Sequence, residues 1–305
     1  MFYFNDCELP LLWRELSRDH FAATVDLAIC EDGAAKDVTS QSLCDSAAIR
    51  VAHVVARADA VCAGLGLVEE FVARDSALKA HSVAGSIDGE NVVAGTSLLR
   101  IEGPLTSILP IERVLLNLLG IAMATSTITA KYVEAVAGTK AKVCDTRKTI
   151  PGLRWLQKYA VRCGGGHLHR WGLADALLVK DNHIAGLSPS DYARRIRSAV
   201  EDLRARNTPL RFVCAEADTM EQFEALLLLP DETLTIALLD NFSLDSLKHA
   251  VELRNRLRPS MLLEASGGVR METIGAIART GVDRISVGAL THSAGWLDVA
   301  LDMAD

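Results

Sequence analysis

The feature that most constrains this chain is an alternation of short apolar strands and amphipathic helices that begins after Gly138. The predicted strands lie at residues 141–144, 174–179, 210–215, 234–239, 261–263 and 284–287. The predicted helices lie at 189–206, behind the capping residue Ser188, and at 220–229, 244–258 and 271–279. Near-continuous apolar strands alternating with helices are typical of a parallel sheet covered by helices. Six such units predict an α/β barrel or most of one.

The first part of the chain has a different pattern. Helical spacing occurs over residues 10–29, and short β-prone stretches follow at 49–57, 61–63 and 98–101. This mixture predicts an N-terminal α+β domain over residues 1–122, followed by a barrel domain over 123–290. Residues 111–137 between them predict a long helix that is apolar on almost every side, which places it in a buried position.

Composition excludes several classes of protein. Half of the 305 residues are apolar and 23% are charged, which is typical of a globular chain and not of a disordered one. No unbroken apolar run approaches the ~18 residues of a membrane span, and no basic residue precedes Asp6 and Glu8 as in a secretory signal, so we expect a cytoplasmic protein. The seven cysteines form no C-x-x-C pair, which favours buried thiols over disulfides or a zinc site.

Basic residues are concentrated in one part of an acidic chain. The net charge is −7, yet residues 140–170 contain eight lysines and arginines and a single acid, Asp145. Such a block favours a small polyanionic ligand over a nucleic acid, whose backbone usually requires a broad basic face and a high pI, here about 5.7. A solvated basic surface fits the charge pattern alone equally well.

Polar side chains follow each predicted strand at its carboxyl end. In chain order they are Asp145, Thr146, Arg147 and Lys148; Lys180, Asp181, Asn182 and His183; Glu216; Asp240 and Asn241; Glu264, Ser266, Gly267 and Gly268; and Gly288 and Ala289. The active site of an α/β barrel lies at this end of its strands. Glycines after the last two strands, with a helix starting near Met271, are typical of a loop that binds phosphate through backbone N–H groups.

The residue types indicate separate tasks. The cations Arg147, Lys148, Arg170 and Lys180 suit a compact ligand with several negative charges. Glu216 and Asp240 are expected to hold Mg²⁺ or ribose hydroxyls, although structural ion pairs with the lysines are the alternative. Lys180 also fits the Schiff-base lysine of an aldolase, but several arginines beside a metal site fit a phosphorylated substrate better.

Longer motifs resemble a known family. The runs DTRKTIPGLR at 145–154, KYAVRCGGG at 158–166, His169-Arg170 and KDNH at 180–183 are similar to the quinolinate phosphoribosyltransferases, which are type II phosphoribosyltransferases. Similarity at 37–39, 112–113, 239–242, 264–268 and 286–291 extends it over nearly the whole chain. Leu168 and Cys214 depart from the family pattern, which has Asn and Glu there.

The resemblance implies a fold and a reaction. The fold is an N-terminal α+β sandwich domain plus a C-terminal incomplete (β/α) barrel, with the tail at 291–305 packing back on the first domain. A partner subunit in a homodimer, or in a higher oligomer, completes the barrel mouth. The reaction transfers phosphoribosyl from phosphoribosyl pyrophosphate to quinolinate with decarboxylation, giving nicotinate mononucleotide, pyrophosphate and CO2 in de novo NAD biosynthesis, and it requires Mg²⁺.

The resemblance also implies roles for individual residues. Quinolinate would be bound by Thr146, Arg147, His169 and Arg170, with Arg113 from the neighbouring subunit. The residues expected to act in catalysis are Lys148, Lys180, Glu216 and Asp240, of which Glu216 and Asp240 would also hold the metal. The residues expected to bind the 5′-phosphate are Ser266, Gly267, Gly268, Gly288 and Ala289.

Three rival functions remain open from the sequence. A related enzyme acting on nicotinate or another ring acid without decarboxylation needs fewer cations for a single carboxylate. A relative associated with molybdenum metabolism typically lacks the segment at 180–183. A non-catalytic barrel that binds anions or nucleic acid explains the basic block but not the carboxylates and glycines that follow the same strands.

Overall fold

The computed structural model describes residues 5–304, and all of their side chains except those of 17–19. The helices are α1 Leu9–Asp32, α2 Val38–Leu43, α3 Leu67–Val72, α4 Leu105–Ala135, α5 Arg154–Cys163, α6 Asp181–Ile184, α7 Pro189–Ala205, α8 Met220–Leu227, α9 Leu244–Leu257, α10 Met271–Ala278 and α11 Ala289–His292, with a 3₁₀ turn at Ala34–Lys36. The strands are β1 Ile49–Ala56, β2 Ala60–Val61, β3 Lys79–Ser82, β4 Asn91–Val92, β5 Ser97–Pro104, β6 Lys142–Cys144, β7 Leu177–Val179, β8 Val213–Ala217, β9 Ile236–Asp240, β10 Leu262–Ser266, β11 Arg284–Ser286 and β12 Val299–Met303.

The chain forms two compact units. The first unit contains Met1–Lys131, Lys148–Gly166 and Leu290–Asp305, and the second contains Tyr132–Arg147 and His167–Ala289. Helix α5 and the loop before it therefore belong to the first unit, although they lie in sequence between β6 and β7. The domain boundary predicted at 122/123 falls inside α4 and stays a prediction.

The first unit is built on an antiparallel four-stranded sheet in the order β12-β1-β5-β3. Ala52 in the middle of β1 is paired with Met303 on one side and Ile101 on the other. Every second residue from Ala52 to Ala56 is fully buried, so one face of the sheet packs on the core. Hydrophobic alternation does not predict β3, because its four residues are exposed or half-buried and carry no apolar pattern.

Helix α4 is the long apolar helix of the sequence, but it begins six residues earlier than predicted. Pro110 lies inside it, whereas a proline usually marks a helix boundary because it lacks an N–H and crowds the preceding turn. By length and composition α4 alone among the described helices is apolar enough to cross a membrane. Buried positions make up 61% of its most apolar stretch, as in the core helix of a soluble protein.

The second unit is built on a parallel six-stranded sheet in the order β6-β11-β10-β9-β8-β7. Strands β7 to β11 lie side by side in the order in which they occur along the chain, and β6 pairs with β11. This is the strand order of a barrel that is open between β6 and β7. A single bridge between Cys144 and His167 flanks β6. Helices α7, α8, α9 and α10 contact one another in succession. The predicted fold class, an α+β domain plus an incomplete α/β barrel, is confirmed.

Alternation along the strands separates an apolar interior from a polar end. Cys214, Ile236 and Leu238 form a buried cluster, and Leu178 and Phe212 pack against it. Two residues farther along the same faces come Glu216 on β8 and Asp240 on β9. Polar side chains therefore lie together at the carboxyl end of the sheet, next to this buried apolar cluster, which we call the apolar floor.

Candidate active site

Three carboxylates meet at the carboxyl ends of β8 and β9. One oxygen from each of Glu216, Asp218 and Asp240 lies within 4.8 Å of the other two. Glu216 is only 4% exposed, and its Oε2 accepts a hydrogen bond from Lys180 Nζ. Burial raises the pKa of Glu216 and the charge of Asp240 adds to this, while Lys180 opposes it. One ammonium thus faces three carboxylates, an arrangement that favours a further cation.

Two arginines add positive charge to that of Lys180. Arg147 follows β6, and Arg170 follows the segment that bridges to β6 at His167. Arg170 is 8% exposed; burial lowers its pKa, and the nearby charge of Arg147 lowers it further. The Nε atom of Arg147 is buried without a hydrogen-bond partner. Within residues 5–304, neither guanidinium forms an ion pair with a carboxylate, so this pair of cations calls for an anionic ligand.

His169 is held by protein atoms around its ring and backbone. Its N–H donates to Asp145 Oδ1 at 2.7 Å, and its ring Nδ1 accepts the N–H of Arg170 at 2.8 Å. Its Nε2 lies 3.3 Å from Glu264 Oε1. The ring of Phe212 stands almost perpendicular to the imidazole, with centroids 5.2 Å apart. Among the described residues Nε2 nevertheless has no hydrogen-bond partner, so the structure places a buried ring nitrogen without a partner beside Arg170.

A buried ion-pair network lies next to His169 and was not anticipated from the sequence. Glu264 is fully buried, and its Oε2 accepts from Arg284 Nε at 2.6 Å. Its Oε1 accepts from Ser286 Oγ. Although burial alone would raise the pKa of Glu264, His169 and Arg284 hold it well below its usual range. The only signal in the sequence is an acid two positions before Ser266 in an otherwise apolar strand, matched by a basic residue on the neighbouring strand.

Glycines shape the loop that follows β10. Gly267 has φ +91° and Gly268 has φ +58°, the left-handed conformations that side chains disfavour. A Cβ on Gly267 would lie 2.6 Å from Asn241 Cγ and 2.8 Å from Asn241 N. Asn241 itself adopts φ +57°, donates its N–H to Ser266 O at 2.9 Å and donates Nδ2 to Asp240 Oδ2 at 2.6 Å. The loop at 266–268 is therefore packed directly against the residue that orients Asp240.

The remaining expected site residues have the following positions. Gly288 and Ala289 follow β11, next to β10 in the sheet, and Thr146 is half-buried after β6. Arg113 and Lys148 belong to the first unit. Arg113 is 63% exposed on α4 with its guanidinium 3.7 Å from Glu112, and the carbonyl of the exposed Lys148 accepts a hydrogen bond from Thr291 at 2.7 Å.

The sequence missed Asp218 as a member of the acidic cluster. Its signal is its spacing, because it lies two residues beyond Glu216 on the same face of the chain. The two departures from the family pattern are both buried: Leu168 is 1% exposed, and Cys214 is fully buried in the apolar floor. All seven cysteines are free thiols and five of them are buried, but Cys30 is exposed and Cys44 is half-buried, so the expectation of buried thiols is wrong for these two.

Comparison with known proteins gives consistent matches along the chain. The model of the quinolinate phosphoribosyl transferase N-terminal domain matches residues 37–123, and that of the C-terminal domain matches residues 124–302. A nicotinate-nucleotide pyrophosphorylase (carboxylating) from Mycobacterium leprae is 38% identical over 302 residues, which cover 98% of this chain and 99% of that protein.

Solved structures agree with the sequence matches. A nicotinate-nucleotide pyrophosphorylase from Ehrlichia chaffeensis has a TM-score of 0.82 and 33% identity, covering 94% of this chain and 100% of that one. The corresponding protein from Francisella tularensis has a TM-score of 0.81 and 31% identity, with 100% of both chains covered.

Proposed function

This chain belongs to the quinolinate phosphoribosyltransferase family, and we infer that it transfers the phosphoribosyl group of phosphoribosyl pyrophosphate to quinolinate with decarboxylation. The products are nicotinate mononucleotide, pyrophosphate and CO2, and the reaction is a step of de novo NAD biosynthesis. The enzyme is thus a pentosyltransferase, a carboxylating nicotinate-nucleotide pyrophosphorylase.

The observation that carries the substrate assignment is that Arg147 and Arg170 form no ion pair with any carboxylate of residues 5–304. Quinolinate has two adjacent carboxylates, and a guanidinium binds a carboxylate through two parallel hydrogen bonds. We propose that these two side chains bind the two carboxylates, assisted by Thr146, by His169 and by Arg113 of a partner subunit. A ring acid with one carboxylate would leave one of these two charges, the buried Arg170 or the half-buried Arg147, unneutralised.

The second substrate is proposed to bind along the ends of β8 to β11. Backbone N–H groups of Ser266, Gly267 and Gly268, with those of Gly288 and Ala289, are assigned to the 5′-phosphate, because positive-φ glycines let a backbone approach an anion closely. Glu216 and Asp240, joined by Asp218, are assigned to Mg²⁺ and the ribose hydroxyls. Three carboxylate oxygens within 4.8 Å suit this hard cation. When bound, Mg²⁺ would offset negative charge on the pyrophosphate.

The chain's own residues act on the displacement step by charge and position. The quinolinate nitrogen attacks the anomeric carbon, and the bond to pyrophosphate breaks with its electron pair leaving on oxygen. Positive charge develops on the ribose in the transition state, and the carboxylates of Glu216 and Asp240 stabilise it. Lys180, already bonded to Glu216, orients that carboxylate, while Lys148 is assigned to the departing pyrophosphate.

Decarboxylation follows without a protein nucleophile. The carboxylate next to the ring nitrogen leaves as CO2, and its electron pair stays on the ring carbon, which then takes up a proton. The adjacent ring nitrogen carries positive charge after ribosylation and stabilises that pair. Cys163 takes no part in this proposal: it is buried in the first unit, where burial raises its pKa well above the usual value for a thiol.

We further propose that the enzyme is a cytoplasmic homodimer or a higher oligomer built from such dimers. The exposure of Arg113 on α4 supports a role toward a partner chain, since 63% of its side chain is open to solvent.

The test is an assay of the purified protein with phosphoribosyl pyrophosphate and Mg²⁺. Quinolinate, nicotinate and nicotinamide are offered separately, and mononucleotide, pyrophosphate and CO2 are followed. We expect equal amounts of all three products from quinolinate and none from the other two. Turnover of nicotinate without CO2, or of no substrate, would refute the function. An Arg170→Ala variant serves as the control for the two-arginine site.

A further inference from the structure

We infer that Gln157 and Thr291 are positioning residues of this enzyme: together they form a clamp that holds the loop at 148–150 and so fixes the place of Lys148. The inference rests on the proposed function for the task of Lys148, which is assigned there to the departing pyrophosphate. All residues of the clamp and of the loop belong to the first unit. Neither clamp residue is among those that the resemblance expects to bind a substrate.

The loop at 148–150 belongs to no helix or strand, so its backbone groups need partners elsewhere. The carbonyl of Lys148 accepts a hydrogen bond from Thr291 Oγ1 at 2.7 Å. Two residues farther along, the N–H of Ile150 donates to Gln157 Oε1 at 2.9 Å. Side chains of α11 and α5 thus hold the backbone of the loop at both of its ends.

The two clamp residues are also bonded to each other. Gln157 Nε2 donates to the carbonyl of Thr291 at 2.7 Å. A continuous series of three hydrogen bonds therefore runs from one end of the loop through Thr291 and Gln157 to its other end. Between these ends, Thr149 Oγ1 accepts from Arg154 Nε at 3.1 Å, so each of the three loop residues is held.

Burial distinguishes the clamp from the loop. Gln157 is 1% exposed and Thr291 is 2% exposed, whereas Lys148 and Ile150 are exposed. A reversed amide of Gln157 would oppose two donors at one end and two acceptors at the other, so its partners fix its orientation. Because both ends of this buried amide are bonded to protein, Gln157 acts through the loop and does not contact a substrate.

The clamp determines where the side chain of Lys148 begins. A side chain that extends from a fixed backbone loses less conformational freedom when its ammonium binds phosphate oxygens. Negative charge on the pyrophosphate increases as its bond to the ribose breaks, so the placement of Lys148 matters most in the transition state. Loss of the clamp should therefore lower kcat and leave KM for quinolinate nearly unchanged.

Two substitutions of Thr291 test this effect. Thr291→Val has almost the same shape and removes the hydroxyl that bonds Lys148, whereas Thr291→Ser keeps that hydroxyl. We expect kcat to fall about five- to tenfold in Thr291→Val and to stay within twofold of the unmodified enzyme in Thr291→Ser, because a lost hydrogen bond of this kind typically has an effect of about this size. KM for quinolinate should change less than twofold in both. An unchanged kcat in Thr291→Val, or an equal loss in Thr291→Ser, would overturn the inference.

Thr129→Val is the matched control for a loss of stability. Thr129 is also a fully buried threonine of the first unit, and its Oγ1 donates to the backbone carbonyl of Thr125 at 2.7 Å. The control thus loses the same kind of hydrogen bond within α4, away from the loop. We expect a lower thermal unfolding midpoint and an unchanged kcat. A fall in kcat as large as that of Thr291→Val would show that stability alone explains both.

The Lys148→Ala background tests whether the clamp acts through Lys148. If it does, Thr291→Val should lower kcat less than twofold once the ammonium is absent, since the two effects are then not additive. A further five- to tenfold loss in the double variant would contradict the positioning role.

Hydrogen exchange at the Ile150 amide tests the clamp without turnover. Gln157→Met replaces the amide by an apolar group of similar length and leaves the Ile150 N–H without its acceptor. In the full-length protein without ligands, we expect exchange at least tenfold faster in Gln157→Met than in the unmodified enzyme, and unchanged in Thr129→Val. Equal rates in the unmodified enzyme and in folded Gln157→Met would refute the clamp. A failure to turn over quinolinate would refute the proposed function instead, and the exchange result would be unaffected.

Discussion

Replacing Gly267 by alanine is expected to impair binding of phosphoribosyl pyrophosphate through Asn241. A Cβ at this position would lie 2.6 Å from Asn241 Cγ and 2.8 Å from Asn241 N. Ordinary contacts between such atoms are about 3.5–4.0 Å, so Asn241 or the loop must move by about 1 Å. That movement breaks the 2.6 Å hydrogen bond from Asn241 Nδ2 to Asp240. A hydrogen bond to a charged group contributes about 1.5–3 kcal/mol, which corresponds to a roughly 10- to 150-fold change in an equilibrium constant.

The matched control is the neighbouring Gly268→Ala. Gly268 also has a positive φ, so alanine there adds backbone strain of about 1–2 kcal/mol, but nothing lies within 4 Å of the new Cβ. The assay compares KM for both substrates, with thermal unfolding to confirm folding. We expect KM for phosphoribosyl pyrophosphate to rise at least tenfold more in Gly267→Ala than in Gly268→Ala, with KM for quinolinate little changed. Equal KM values in the two variants would refute the reasoning.

Three further predictions follow from the same site. Arg147→Ala and Lys180→Ala are each expected to lower kcat/KM for quinolinate by ~100-fold or more with an unchanged circular dichroism spectrum. Arg147→Ala removes a charge from the anion site, and Lys180→Ala removes the partner of the buried Glu216 carboxylate; retained activity in either variant would contradict the assignment. Asp218→Asn is expected to raise the Mg²⁺ concentration needed for half-maximal activity several-fold, measured by metal titration of the initial rate, and an unchanged titration would remove Asp218 from the metal site. The pKa of Glu264 is held below its usual range, so the ionised carboxylate stabilises the fold above the ordinary glutamate pKa of about 4.3, and this contribution is lost as the pH falls below that value. When urea unfolding is measured from about pH 6 to about pH 3.5, we therefore expect the free energy of unfolding to fall less in Glu264→Gln than in the unmodified enzyme. Parallel pH curves for the two proteins would contradict this prediction.

Local pattern predicted most of the second unit. The six strands and the four helices α7 to α10 were placed within a few residues, because apolar runs and helical periodicity are local signals. The capping residue Ser188, which accepts from Asp191 N in the structure, marked the start of α7. Errors arose where a local rule was overridden, as at Pro110 inside α4, or where the signal was too short, as in β3.

The roles of the site residues depend on both the sequence and the tertiary structure. By itself the sequence determined which residue types follow each strand, and hence that arginines, carboxylates and glycines meet at one end of a parallel sheet. Only the tertiary structure decided what each side chain faces. Glu264 and His169 are 95 positions apart in the numbering, yet they lie 3.3 Å from each other. Periodicity indicates the face of a strand on which a residue lies but not its partner on the neighbouring strand. The buried ion-pair network next to His169 is therefore visible only in the tertiary structure.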